Sequence, residues 1–355
     1  MALPSHLNTF NQGGFAKVIE NANNQDNGRN QKLLIFGAAI GFLYGLSVRL
    51  LIRFYPGYHE STTVMLMSFL VLLPLAMGFV AIFLAEIKQA QRLSTWVFLP
   101  WLPIAASTVA CMLMFLEGLI CVVMFIPLAL GISTIGGVLG GLSARFFRSR
   151  RAKNLSLACV MVLPFFMAPV EKHFLYQWEL REVENTIDIQ APPAVVWRNI
   201  ERVPPIRRDE LPPSWSQRIG FPDPVEATLS HEGVGGVRHA TFAGGVLFLE
   251  TVDAWEPERR LAFSIAAQTD QIPNTTLDEH VRIGGPYFDV LRGEYRLESF
   301  PNGMTRLHLS SRHRVSTDFN WYAHLWTDAV MADLQKRILY VVRQRCEREA
   351  ISLRH

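Results

Sequence analysis

Hydrophobic and polar positions follow two different rhythms along this chain, and the change falls near residue 175. Before it, apolar runs at about 33 to 53, 62 to 86 and 155 to 174 each approach the ~20 residues that a helix needs to cross hydrocarbon. Between them, 94 to 147 stays apolar for more than twice that length. It is broken by Glu117-Gly118 and by Pro127, so it divides into two helices with a turn near Glu117. These runs predict five spans over residues 32 to 175. Residues 1 to 31, with "NANNQDNGRNQ", offer no apolar stretch of the kind a cleavable signal carries and read as a flexible polar tail.

From Val183 the period becomes two. "VENTIDI" places Val183, Asn185, Ile187 and Ile189 on one face of a strand, and "APPAVVWRNI" follows as a short helix opened by Pro192 and Pro193. Further strands are predicted at about 225 to 231, 236 to 243, 246 to 255, 260 to 267, 277 to 283, 290 to 299 and 305 to 315, separated by Gly, Pro and Asn turns. Consecutive strands with short turns form an antiparallel sheet. One long helix closes the chain over about 319 to 348, with Trp326, Val330, Leu334, Ile338 and Val341 as an apolar stripe opposite Asp333, Lys336, Arg337 and Arg343. That stripe has to lie on the sheet, so 180 to 350 reads as an α+β domain following a membrane helical bundle.

Half of the 355 residues are hydrophobic, too many for a purely soluble chain. A net charge of +3 is too small for a nucleic-acid surface, and the basic residues gather beside the apolar spans. With the N-terminus in the cytoplasm, the inner flanks hold Lys17, Arg29, Lys32, Lys88, Arg92 and the cluster "RFFRSRRAK". The outer flanks then hold Arg49, Arg53, Lys172 and Arg181. An integral membrane protein with its C-terminal domain outside the cytoplasm is the expectation; one span fewer in 94 to 147 would return that domain to the cytoplasm. Tyr176 and Trp178 suit an interface and precede Val183 by only a few residues, which keeps the domain near the headgroups.

Cys111, Cys121 and Cys159 lie in apolar runs and only Cys346 lies in the α+β part, so no disulfide forms within that part. Glycines four apart, Gly37, Gly41 and Gly45, and again Gly136, Gly137, Gly140 and Gly141, make flat stripes for close helix packing. Packing within one chain and a homo-oligomer face through Gly37, Gly41 and Gly45 both fit. Glu117 marks a turn; an ion or proton path would want a second intramembrane acid or His, and none accompanies it.

The order strand, short helix, run of antiparallel strands and long C-terminal helix resembles the START-like superfamily, also called SRPBCC or polyketide cyclase-like. The motifs are "VENTIDIQAPPAVVWRNI", "ETVDAWEPERRLAFSI" with Trp255-Glu256-Pro257, and "GEYRLESFPNGMTRLHLSSRH", covering roughly 180 to 350. The resemblance implies a helix-grip fold, in which a curved sheet encloses a cavity for lipids, sterols, polyketides or other apolar molecules. Members related to heat-shock co-chaperone activators share the Trp-Glu-Pro region and do without a small-molecule role.

Alternation puts Leu307, Leu309, Ser311, His313 and Val315 on one face of the last strand, and Leu291, Gly293, Tyr295 and Leu297 on one face of its neighbour. Polar groups on such faces are informative, because burying one is costly unless it is paired. His313, Tyr295, Glu250 and Glu279 are the candidate polar ligand contacts, with plain core or rim packing as the alternative. Trp197, Trp321, Tyr322 and Trp326 serve equally as core or as pocket lining. No zinc pattern and no strand-to-helix phosphate turn occurs, so no metal or cofactor is expected. "NTT" at Asn274 fits a glycosylation acceptor. The leading expectation is a non-enzymatic membrane protein whose cup takes a lipid or lipophilic metabolite. The alternatives are a cyclase-like or hydrolase-like enzyme with Glu279 and His313 as acid/base pair, and a protein-docking module.

Overall fold

The computed structural model describes residues 12–54, 66–171, 178–268 and 282–353, with side chains from residue 28. The chain forms two compact units. One joins Met1–Cys111 to Ile126–Glu171, and the other joins Met112–Phe125 to Lys172–His355.

Helices α1 (Gln12–Phe54), α2 (Met67–Leu70), α3 (Leu72–Glu86), α4 (Leu93–Phe98), α5 (Trp101–Leu113), α6 (Leu119–Phe146) and α7 (Arg150–Glu171), which make up the first unit apart from residues 112–125, supply five helical stretches long and apolar enough to cross a membrane. They are Gly28–Phe54, Met67–Glu86, Leu93–Leu113, Leu119–Phe146 and Arg150–Glu171, so the long apolar run does divide beside Glu117. Residues 12–31, expected as flexible tail, belong instead to α1. Once the apolar stretch has nucleated a helix, each further residue gains a backbone bond for one residue fixed, and polar residues extend it.

Glycine decides how these helices meet. A Cβ on Gly37 would stand 2.2 Å from the Ala81 carbonyl oxygen, one on Gly78 2.0 Å from that of Ser133, and one on Gly136 2.0 Å from that of Leu75. Backbone therefore lies directly on backbone, with α1 and α6 both against α3. Gly41 and Gly45 meet Met77 on the same helix, so the stripe also read as a homo-oligomer face is covered within the chain.

The second unit is a seven-stranded antiparallel sheet in the order β1-β7-β6-β5-β4-β3-β2. Its strands are β1 (Glu179–Ile189), β2 (Pro224–Leu229), β3 (Val237–Phe242), β4 (Leu247–Glu256), β5 (Arg260–Gln268), β6 (Phe288–Ser299) and β7 (Thr305–Val315). Short helices α8 (Pro193–Glu201) and α9 (Trp215–Arg218) follow β1, and α10 (Asn320–Ser352) lies along the inner face, against β1, β7 and α8. A curved antiparallel sheet gripping one long C-terminal helix is a helix-grip fold. The strand expected at 277 to 283 lies almost wholly outside the described residues; Ile283 makes an isolated bridge to Phe288.

Strand β7 alternates as its sequence predicts, with Leu307, Leu309, Ser311, His313 and Val315 buried. On β6 the inner face carries Val290, Gly293, Tyr295 and Leu297, so Val290 replaces the expected Leu291. A bulge between Val290 and Arg292 adds one residue and turns the strand over at that point. The buried face of α10 is also rotated by about one residue from the predicted stripe. Met331, Gln335, Leu339, Val342 and Cys346 are buried together with Val330 and Val341 of that stripe, whereas its Trp326, Leu334 and Ile338 are half-buried. Arg337, expected on the solvent side, is buried and paired with Asp223. Cys346 is a free thiol.

Candidate functional site

The helix–sheet interface has two cores. Along the C-terminal half of α10, Ile189, Val196, Ile200, Leu261, Leu307, Leu339 and Cys346 belong to a large buried cluster, with Ile187, Leu229, Trp255, Ile265 and Ile338 partly covered against it. Trp197 belongs here, buried in this cluster and edge-on to Trp255 with ring centroids 5.1 Å apart. Around Met331 in the N-terminal half the core is looser. Ile120, Val203, Ala240, Phe248 and Val290 are buried, but Met124, Ile206, Ile219, Phe221, Phe242 and Phe288 pack against them only partly covered.

Buried polar groups mark the boundary between the cores. Arg238 on β3 and Glu250 on β4 are cross-strand partners and form a buried ion pair. The Arg238 guanidinium also donates to the Glu201 carbonyl and lies over the Phe263 and Tyr295 rings, 5.3 and 5.9 Å from their centroids. Burial pushes the Glu250 carboxyl and the Tyr295 phenol up, while Arg238 pulls both down. Gly293 makes room for this stack, since a Cβ there would stand 2.5 Å from the Phe263 ring. Glu250 and Tyr295 are thus brought together, through an arginine that the sequence reading passed over. The signal was present: in "GVRHATFA" Arg238 shares its strand face with buried Ala240.

His313 stands elsewhere. Its cross-strand neighbour is Val290, whereas Tyr295 pairs with Leu309, four residues and roughly 13 Å along β7. The ring is fully buried, tilted against Phe288 at 5.5 Å. Nε2 is 3.2 Å from Thr327 Oγ1 and 3.3 Å from Asp328 Oδ1. The other Asp328 oxygen accepts from Arg181 at 2.6 Å. Burial pushes the imidazole below its ordinary value, against the opposing pull of Asp328.

Between these sites Gln335 of α10 donates from Nε2 to the Val183 carbonyl and to Ser311 Oγ, each at 2.9 Å, and accepts from Asn185 at 2.7 Å. Trp321, expected as lining, is 58 % exposed on the outer side of α10. Tyr322 and Trp326 are half-buried, and Trp326 meets Trp215 and Tyr322 with centroids 6.4 Å away in each case. Glu279 lies outside the described residues, as does Asn274. No cluster of metal-ligating side chains occurs among the described residues.

No family model and no curated protein matches the chain. Among solved structures it is similar to the Zhui aromatase/cyclase from Streptomyces sp. R1128, at 21 % identity over 48 % of this chain and 96 % of that one, with a TM-score of 0.30. A START superfamily protein from Mycobacterium smegmatis matches at 7 % identity over 47 % and 98 %, with a TM-score of 0.32. DynU16, from the dynemicin biosynthetic locus, matches at 18 % identity with a TM-score of 0.26, over 44 % of this chain and 45 % of its own length.

Proposed function

We propose that the second unit is a cup for an apolar ligand, a lipid or lipophilic metabolite, in a protein anchored in a membrane by its five spans. One observation carries the reading: the unequal closure of the two halves of the helix–sheet interface. A side chain such as Phe221 or Phe288, partly covered beside a buried core, has apolar surface still to bury, and ligand sites are concave and apolar with a few placed polar groups. The short connection between the last span and β1 supports a ligand drawn from the bilayer. The positive cluster after Ala144 supports a cytoplasmic N-terminus and a cup outside.

Purification of the full chain in detergent, solvent extraction and mass spectrometry test it. The Ala240→Trp variant, which fills the looser core, should lose a molecule that the native chain retains, while lipids held by the spans stay equal in both. Identical extracts from the two proteins would end the proposal.

A further inference from the structure

His313 has one nitrogen whose needs the protein meets and one whose needs it does not. Nε2 faces Thr327 Oγ1 and Asp328 Oδ1. The Thr327 hydroxyl has its own acceptor in the His324 carbonyl at 3.4 Å, which leaves the oxygen lone pairs toward the imidazole. Asp328 is ion-paired with Arg181, and a carboxylate accepts and cannot donate. Two acceptors facing one nitrogen put the proton on Nε2. Nδ1 then presents a bare lone pair, and it is buried with no hydrogen-bond partner. An orphaned acceptor of this kind costs free energy until a donor reaches it.

We infer that the ligand of the looser core carries a hydroxyl that donates to Nδ1 of His313, so the cup selects apolar alcohols or phenols over molecules whose oxygen only accepts. The inference rests on the apolar-ligand reading and names the polar end of that ligand. Position supports it: the imidazole is flanked by Val290 and Phe288, which both belong to the looser core, and Gln335, the next polar group inward, already has all its partners. Phe288, only half-covered, is the side chain that would swing aside to let the hydroxyl in. The neighbouring charges are Arg181 on β1 and Asp328 on α10, which form an ion pair through one oxygen of Asp328, while Arg181 Nε and Asp328 Oδ1 are themselves buried without a hydrogen-bond partner.

The test uses the full chain in lipid nanodiscs, with 1-pyrenebutanol and its methyl ether as probes and protein-free discs as the blank. The native chain should bind the alcohol roughly five- to tenfold more tightly than the ether, the worth of one net hydrogen bond. Asp328→Asn offers an amide donor to Nε2, which moves the imidazole proton to Nδ1; the preference should then narrow or reverse. A His313→Phe variant should bind both probes equally, and its thermal transition shows whether it folds. Nitrogen-15 spectra of histidine-labelled native chain should show Nδ1 unprotonated. Equal binding of both probes by the native chain, or a protonated Nδ1, overturns the hydroxyl inference and leaves the cup standing. Binding of neither probe above the blank overturns both.

Discussion

Gln335 of α10 and Ser311 of β7 are joined by a hydrogen bond of 2.9 Å at a place where Gln335 is only 1 % exposed. The same amide holds the Val183 carbonyl and the Asn185 side chain, so one residue ties the helix to β1 and β7 together. Gln335→Leu keeps the volume and strands these partners. The expected loss is on the order of 1–3 kcal/mol for each group left buried without a partner. Denaturant unfolding of the full chain, followed by tryptophan fluorescence, measures it. Adding Ser311→Ala should restore part of the loss, giving a non-additive double-mutant cycle.

This contact also shows where sequence reading stops. The five spans, the alternation of β7 and the order of the second unit were legible, because period and length carry them. The rotation of α10 was not, since its buried centre is Gln335, which hydrophobic periodicity counts as polar. The Val290–Arg292 bulge leaves no mark in composition, and it moved Leu291 off the inner face. Of the candidate contacts, His313, Tyr295 and Glu250 proved buried, whereas Trp321 pointed outward and Trp197 into the large buried cluster. Arg238, Thr327 and Asp328 were missed because their meaning depends on what faces them across the fold.

Glu210 clamps the segment before α9 to the end of α10. Arg345 reaches its two oxygens at 3.1 and 2.8 Å, Arg348 adds a contact at 2.6 Å, and the Arg207 backbone N–H donates at 3.0 Å. The Arg345 guanidinium, with the Arg207 N–H and Arg348, holds the Glu210 carboxyl at about 2, against an ordinary value of 4.5. A carboxyl depressed in the folded state stabilises fully above its unfolded value, and that contribution is lost as pH falls toward the folded one. Between pH 4.5 and about 2 the stability gap between native protein and Glu210→Gln should therefore close. Parallel melts of the two proteins across that window check it, and a constant gap contradicts the assignment.

Gly78 sits where α3 and α6 touch through backbone, with room for no side chain beside the Ser133 carbonyl. Gly131, on α6, has nothing within 4 Å of where a Cβ would go. Gly78→Val should separate the helices and cost about 1–3 kcal/mol or more by overpacking. Gly131→Ala should be neutral or slightly stabilising through helix propensity. Detergent-titrated unfolding of the two variants compares them, and equal effects would mean that the stripe does not set the packing.

The proposed topology is supported by which span ends meet. Glu86, closing the second span, accepts from Arg145 Nε at 2.7 Å near the end of the fourth, with Trp96 and the Gln91 N–H on its other oxygen. Glu171, closing the fifth span, accepts from the Ser68 N–H at 2.8 Å at the start of the second. The first contact needs an even number of crossings between residues 86 and 145, which two full spans satisfy and one span with a re-entrant segment does not. The second likewise needs an even number between 68 and 171. Both agree with five crossings, and the five positive charges of Arg145 to Lys153, which resist translocation, favour a cytoplasmic place for that loop in the proposed topology. A reporter active only in the cytoplasm should therefore work when fused after Lys153 and fail at His355, and a reporter active only outside should do the reverse. Equal cytoplasmic activity at the two sites would place the cup among cytosolic partners and remove the extracytoplasmic assignment.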